Sequence, residues 1–302
     1  MRVAAPARPG TVRTREALGS VVIPAHNEGE VIKRCLDALF AGIQPGDLDV
    51  VVVCNGCADN TAAVARGSGH PVRVIELQAA SKAAALRAGD EATRTFPRLY
   101  VDADVTMSGS SALQVIERLQ AGAVAARPPV LYDSSRSSAP VRSYYRARSR
   151  VPAVMHSLWG AGVYGLSSRG RSRFTTFPDL FADDLWIDRQ FERDEVEIVD
   201  CAPVVVAVPR RSRDLVHILR RTYRGKQVTR PAVGPDDRAR ETTASALRDL
   251  GRLAASGPMA ALDAMTYAAF AVGTRLALRL AAKLGSASPG DRWERDESSR
   301  AG

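Results

Sequence analysis

Two pairs of aspartates are the residues of this sequence best placed to do chemistry. In "LYVDADV", Asp102 and Asp104 stand two residues apart at the end of an apolar run. Strand side chains alternate faces, so residues i and i+2 project the same way unless the chain turns. Two like charges so placed repel, and desolvating them is costly unless a cation intervenes. Oxygen-only ligands suit Mg2+ or Mn2+, and Mg2+ commonly joins one or two carboxylates to substrate phosphates. In "FADDLWIDRQF", Asp183 and Asp184 open an amphipathic segment with Leu185, Ile187 and Phe191 facing inward. A carboxylate there, in a partly dry cleft, could accept a hydroxyl proton. Each pair also has a plainer reading: solvated loop acids or a helix N-cap for the first, and helix-start acids that complement the macrodipole for the second.

A third cluster, in "VVIPAHNEGE", sets Pro24, Ala25, His26, Asn27 and Glu28 at the end of the apolar run Val21-Val22-Ile23. A continuous apolar run reads as a parallel strand covered on both faces. In open α/β sheets the ligand crevice lies beyond the carboxyl ends of such strands, so these polar groups either serve a ligand or cap the next helix. "CNGC" offers Cys54 and Cys57 at a redox spacing, but Gly56 more simply fits a tight βα turn between two small buried thiols. No second Cys/His pair has zinc spacing.

The elements that must position these groups follow one another in βα order. "SVVIP" precedes a helix with Ile32, Cys35, Leu36 and Leu39 at i, i+3, i+4, i+7. "DVVVVC" leads into a helix capped by Asp59 or Asn60. "VRVIEL" precedes the Ala-rich "SKAAALRAGDEATRTF", "RLYVD" is a fourth strand and "AGAVAAR" a fifth. The alternation signals a parallel sheet. It then breaks: a basic helical stretch near residues 139–156 leads to the Gly-rich "WGAGVYGLS", and "VEIVDCAPVVVAV" reads as one later, antiparallel strand. The division expected is a disordered lead-in over 1–19, a catalytic domain over 20–230, a linker and C-terminal helices over 231–286, and a disordered tail over 287–302.

Taken in order, "VVIPAHNE", "VVVVCNGCADNT", "SKAAALRAG", "YVDADV", "WGAGVYGLS", "ADDLWI" and "RRTYRG" resemble the family 2 glycosyltransferases, over about residues 20–226. The resemblance implies an α/β, GT-A type Rossmann-like mixed sheet flanked by helices, with a C-terminal helical extension. It implies inverting transfer of a sugar from a UDP- or GDP-sugar to a hydroxyl on a glycan, lipid-linked or small-molecule acceptor, in cell-envelope or exopolysaccharide synthesis. It places Pro24, Ala25, His26, Asn27 and Glu28 at the nucleotide, with Asn55 and Gly56 in the second nucleotide-binding turn and Lys82 near the donor. Asp104 would coordinate Mg2+ or Mn2+, Asp102 would contact the metal or the ribose, and Asp184, supported by Asp183, would be the base. Arg221 and Arg224 would hold the leaving diphosphate. Cys54 and Asn55 stand where the family usually has two aspartates, and "RTYRG" departs from Gln-x-x-Arg-Trp, so the chain does not read as a processive polysaccharide synthase. The competing classes are a scaffolding protein with a degenerate transferase domain, and a nucleotidyltransferase, which would want a Gly-rich basic phosphate loop near residue 25.

Bulk properties bound the partners. The 302 residues carry a formal charge of +9, and basic residues crowd the stretch from Arg210 to Arg230. No basic stretch is interleaved with stacking aromatics, which argues against nucleic acid. Four cysteines in a chain this long are no disulfide framework, and the N-terminus lacks a signal-peptide core. The expectation is a cytoplasmic location, with residues 258–284 as the one stretch that could meet the inner face of the membrane. That apolar stretch is interrupted by Asp263, Arg275, Arg279 and Lys283, too short between charges for a comfortable span. It reads as a packed helix or an interfacial one.

Overall fold

A computed structural model describes residues 16–180, 183–228 and 247–283, and side chains on 224–228 are outside the described set. The expected lead-in, linker and tail therefore fall largely outside the described residues. The first half alternates as the sequence predicts: β1 (Gly19–Ala25), α1 (Ile32–Phe40), β2 (Leu48–Asn55), α2 (Thr61–Arg66), β3 (Val72–Leu77), α3 (Lys82–Ala92), β4 (Arg98–Val101) and α4 (Gly109–Gln120). There follow β5 (Ala125–Arg127), β6 (Val130–Asp133), α5 (Ala139–Arg148), α6 (Pro152–Met155), β7 (Val163–Leu166), α7 (Ser168–Arg171) and α8 (Asp183–Asp188). The chain ends through β8 (Val196–Ile198), β9 (Val204–Ala207), α9 (Ser212–Val228), a helix α10 over 247–255, and α11 (Pro258–Lys283).

Seven strands form one sheet in the order β3-β2-β1-β4-β7-β5-β8, with β6 and β9 paired beside it. β1 is parallel to both β2 and β4, and every one of its residues is buried. Successive side chains go to opposite faces. Val21, Ile23, Leu99 and Val101 pack with Leu36 and Ile116 on one side, and Val22, Tyr100 and Tyr164 pack with Leu86 and Ile187 on the other. Helix α1 buries Ile32, Cys35, Leu36 and Leu39, the predicted face.

β7 is inserted antiparallel between β4 and β5, which makes the sheet mixed. The expected single late strand is two: β8 runs parallel to β5, and β9 runs parallel to β6. Cys201, Ala202 and Pro203 divide that apolar run, and proline has no N–H to continue a ladder. The expected helix near 139–156 is likewise two, α5 and α6, separated before Pro152. No side-chain cap bond forms from Asn60 at the start of α2; instead the Asp59 carboxylate accepts from the Thr61 N–H.

One buried polar network ties α3, β4 and α7. Asp90 accepts from Arg98 at 2.5 Å and from the Tyr100 hydroxyl at 2.6 Å through one oxygen, and from Arg171 at 2.8 Å through the other. Burial would raise the Asp90 pKa, but these three donors outweigh it and hold the carboxyl below its ordinary value. Its contribution to stability is therefore present above the unfolded-state pKa and lost as pH falls through the lowered one. Asp90→Ala leaves two guanidinium groups uncompensated. We expect a loss of about 3–5 kcal/mol in urea denaturation at pH 7, with the deficit shrinking below pH 4; a loss under 1 kcal/mol would contradict this account.

Candidate active site

The carboxyl ends of β1 and β4 and the starts of α3, β7 and α8 meet in one small crevice. Pro24, Lys82, Tyr100, Asp102, Gly162, Tyr164, Asp183 and Asp184 line it. At its centre the Lys82 ammonium lies 2.7 Å from Asp102 Oδ1 and 3.0 Å from Asp183 Oδ1. Lys82 is the first residue of α3, behind the Ser81 cap. A cation there opposes the helix dipole, and the two facing carboxylates offset that cost.

Burial alone would lower the Lys82 pKa, but Asp102 and Asp183 overcome it and hold the ammonium above its ordinary range. Asp183, with a side chain only 4% exposed, is raised: burial pushes it up, Lys82 pulls it back in part, and Asp184 and Asp102 add repulsion. Its Oδ2 is buried and meets no donor among the described residues. Asp184 is half-buried. Its two oxygens accept from the Gly160 N–H at 2.8 Å and the Leu185 N–H at 2.8 Å, which fixes the carboxylate plane.

Asp102 and Asp104 both remain half-buried while Ala103 and Val105 turn inward. The strand ends at Val101, and a turn closes from the Asp102 carbonyl to the Val105 N–H at 3.1 Å. Of the two acids only Asp102 lines the crevice. Among the described residues no group of three or more His, Cys, Asp or Glu could form a complete metal cage.

The end of β1 interlocks with the turn after β2. Asn27 adopts φ 53°, a left-handed conformation asparagine tolerates. Its side-chain oxygen accepts from the Ala58 N–H at 2.7 Å, and the Glu28 N–H donates to Thr61 Oγ1 at 2.7 Å. The His26 ring donates from Nδ1 to the Asn55 carbonyl at 2.6 Å, leaving Nε2 to accept from the Asn27 amide at 3.3 Å. Asn55, expected in the second nucleotide-binding turn, is fully buried, and its amide donates to the Ala25 carbonyl at 2.8 Å, supporting the turn from beneath. A Cβ on Gly56 would stand 2.6 Å from the Ala80 backbone nitrogen, so this turn presses directly on the approach to Lys82. Arg221 is exposed on α9, and the Arg224 side chain lies outside the described residues. The cysteines are free, and burial pushes the Cys35 and Cys54 thiols up to about 12, which removes the redox reading.

Three residues that sequence reasoning missed build the wall opposite Lys82. Arg127, fully buried, spends its donors on the carbonyls of Pro128, Val154, Met155 and Ser157. Asp188 accepts from the Leu158 N–H at 2.6 Å, and burial raises its carboxyl to about 6. Tyr132 donates its hydroxyl to the Gly160 carbonyl at 3.1 Å. Only the end of "LWID", one helical turn after the acidic pair, could have signalled Asp188.

The ion triad makes a test. In Lys82→Met the Asp183 carboxylate loses its counter-charge and its pKa rises further, so the folded state holds that proton to higher pH than the unfolded one. Stability relative to wild type should then fall as pH rises, with a deficit of about 3–5 kcal/mol at pH 8 that shrinks toward pH 5. A pH-independent deficit in urea denaturation would contradict the arrangement.

The family model described as Glycosyl transferase family 2 matches residues 20–165; Asp183 and Asp184 lie beyond the matched stretch. A comparison with curated protein sequences gives no match. Among solved structures, a mannosyltransferase from Pyrobaculum calidifontis, in complex with GDP-Man and Mn2+, is similar with a TM-score of 0.57 and 18% identity, over 93% of this chain and 85% of that one. Glucosyl-3-phosphoglycerate synthase from Mycobacterium tuberculosis, with Mn2+, UDP and glucosyl-3-phosphoglycerate, is similar with a TM-score of 0.52 and 19% identity, over 77% of this chain and 88% of that one. Its complex with UDP-glucose and phosphoglyceric acid gives 0.52 and 20% over 76% and 87%. At these identities the likeness is one of fold. Residues 20–165 thus match the glycosyl transferase family 2 model, and the chain shares the mixed α/β fold of these solved glycosyltransferases.

Proposed function

We propose that the protein is an inverting glycosyltransferase that moves a sugar from a nucleotide-diphosphate donor, a UDP- or GDP-sugar, to a hydroxyl acceptor. The observation that carries the reading is the convergence of Lys82, Asp102, Asp183 and Asp184 in one crevice beyond the strand ends. Attack on the anomeric carbon expels a nucleoside diphosphate, so the site must stabilise growing phosphate charge and accept one proton. Pro24, Ala25, His26, Asn27 and Glu28, with the Asn55-Gly56 turn beneath them, form the nucleotide wall. Lys82 and, from α9, Arg221 and Arg224 supply positive charge to the diphosphate. Arg suits that task because its fork makes paired bonds to phosphate oxygens.

Asp184 is the proposed base. Its two backbone donors orient it, and Asp183 beneath it holds Lys82 in place. The donor chemistry fits a divalent cation: Asp102 and Asp104 offer half-buried carboxylate oxygens, and Mg2+ or Mn2+ held by one or two carboxylates would complete its coordination on phosphate. Such an ion would neutralise the departing diphosphate. The structural neighbours' complexes with GDP-Man or UDP and Mn2+ support this reading.

Release of nucleoside diphosphate from a panel of nucleotide sugars tests it. Asp184→Asn keeps an acceptor for the Gly160 N–H but cannot take a proton, so donor binding should persist while transfer falls roughly 10²- to 10⁴-fold. Asp104→Ala should keep its fold and lose manganese-enhanced donor binding. Undiminished turnover in either variant would remove the role given to that residue.

The same proposal includes peripheral contact with a membrane bearing the acceptor. No helix among the described residues is long and apolar enough to cross a membrane. One face of α11 is clamped to α5: Asp263, 1% exposed, takes two bonds from Arg146 and one from Ser143, and Tyr267 stacks on Tyr144 at 4.9 Å. The opposite side leaves Leu262, Met265, Val272, Leu276 and Leu280 at least half-exposed. At 3.6 residues per turn they share one stripe of about 80°, with Arg279 and Lys283 along its edge. Exposed apolar stripes bordered by cations fit an anionic lipid surface. The full chain should float with anionic vesicles at low salt, and Leu276→Glu with Leu280→Glu should abolish flotation. Equal behaviour of the two would make α11 a structural brace only.

A further inference from the structure

Arg148 is placed as no other arginine of the described fold is. Its guanidinium carbon lies 4.9 Å from the Trp159 ring centre and 5.5 Å from that of Tyr132. Nε donates to the Tyr132 hydroxyl at 3.2 Å. Nη2 lies 2.5 Å from where a Cβ on Gly160 would stand, in space left open by this glycine, here at φ 80°. Gly160 is the residue whose N–H holds Asp184. The cation is therefore packed flat against the backbone that orients the base.

Its neighbours in kind are all satisfied. Arg98 and Arg171 share Asp90, Arg146 holds Asp263, Arg87 meets Asp179, and Arg127 serves backbone carbonyls. Arg148 meets no carboxylate among the described residues, and its one bond, from Nε, goes to a neutral phenol. Among the described residues neither terminal nitrogen has a hydrogen-bond partner. The residue is half-buried, between an indole face and a phenol face. A guanidinium fork so pre-oriented recognises a planar or tetrahedral oxyanion through paired N–H bonds.

We infer that Arg148 is an acceptor-binding residue, and that the acceptor is a hydroxylated compound carrying a phosphate or carboxylate close to the hydroxyl that meets Asp184. Trp159 then packs against the carbon skeleton between the two groups. The inference rests on the reading of Asp184 as the base.

Calorimetric titration of the full chain, with UDP, GDP and Mn2+ saturating so that the diphosphate subsite is filled, tests it. The probes share one skeleton: glycerol 3-phosphate, glycerate, neutral glycerol, and phosphatidylglycerol in detergent micelles for a lipid-borne source. Wild type should bind at least one anionic probe at least about tenfold more tightly than glycerol. Arg148→Met should lose at least about tenfold for that probe and nothing for UDP or GDP. Arg148→Lys, which keeps the charge without the fork, should fall between. Preference for the micellar probe assigns a lipid source, and preference for glycerol 3-phosphate or glycerate a soluble one. Retained nucleotide binding in the variants shows that they fold; if Arg148→Met loses it, the comparison passes to Arg148→Lys, and anion affinity there equal to wild type overturns the inference. Anion binding unchanged in Arg148→Met, or no anion preference in wild type, overturns it as well. Should Asp184→Asn retain transfer while Arg148→Met loses anion binding, the base assignment alone fails.

Discussion

Everything near the crevice depends on a single ammonium group held between two carboxylates. Asp183 is almost fully enclosed, and Asp102 directly follows the central strand β4. Without Lys82 their charges would sit in a poorly solvated space with Asp184 beside them, and such a group ordinarily takes up a proton rather than remain charged. Lys82 keeps Asp183 and Asp102 apart and ties α3, β4 and α8 to one point. The start of α3 is set in turn by the Gly56 turn pressing on Ala80. The N-terminal sheet and the later helix α8 are thereby fixed relative to each other by an ion triad as well as by apolar packing.

The opposite wall is built by a different means. Segment 154–160 has little regular structure, so its carbonyls and N–H groups need partners from side chains. Arg127 takes three of those carbonyls, Tyr132 takes that of Gly160, and Asp188 and Asp184 take the N–H groups of Leu158 and Gly160. A loop held at so many points presents Trp159 in a fixed relation to Asp184. A lysine at position 127 would lose most of this, since one ammonium cannot reach carbonyls spread along the segment as a planar fork does.

Much of this was legible beforehand where the signal is local. Apolar runs gave β1, β2 and β4, the i, i+3, i+4 pattern gave the buried face of α1, and the inward trio Leu185, Ile187 and Phe191 gave that of α8. The clustering of Asp102, Asp183 and Lys82 could be anticipated only from motif order, because no spacing rule joins residues so far apart. The late strands were misread because "VEIVDCAPVVVAV" is one apolar run to the eye, while its proline and the pairing partners β5 and β6 divide it. Arg127 closes a predicted strand and Asp90 lies in a predicted helix, and neither position carries a local signal of its role. Their partners are set by tertiary packing, to which a one-dimensional pattern is blind. The inward turn of the Asn55 side chain to the Ala25 carbonyl is likewise a tertiary contact that no local pattern signals.

The antiparallel direction of β7 has an architectural consequence. A strand running against β4 starts beside the place where β4 stops, so the chain arrives at that edge carrying residues 156–162 and leaves from the far side of the sheet. The crevice is thus assembled from two stretches entering it from opposite directions: parallel strand ends on one bank, an incoming loop on the other. They share the hydrogen-bonded register of β4 and β7 but little else of their sequence. Residues 129–162 can therefore lengthen, shorten or exchange side chains while the β1–β2–β4 bank stays as it is. A fold of this kind can keep one bank of its crevice constant and vary the other, with the seam between them at the backbone bond from Asp102 to Gly162.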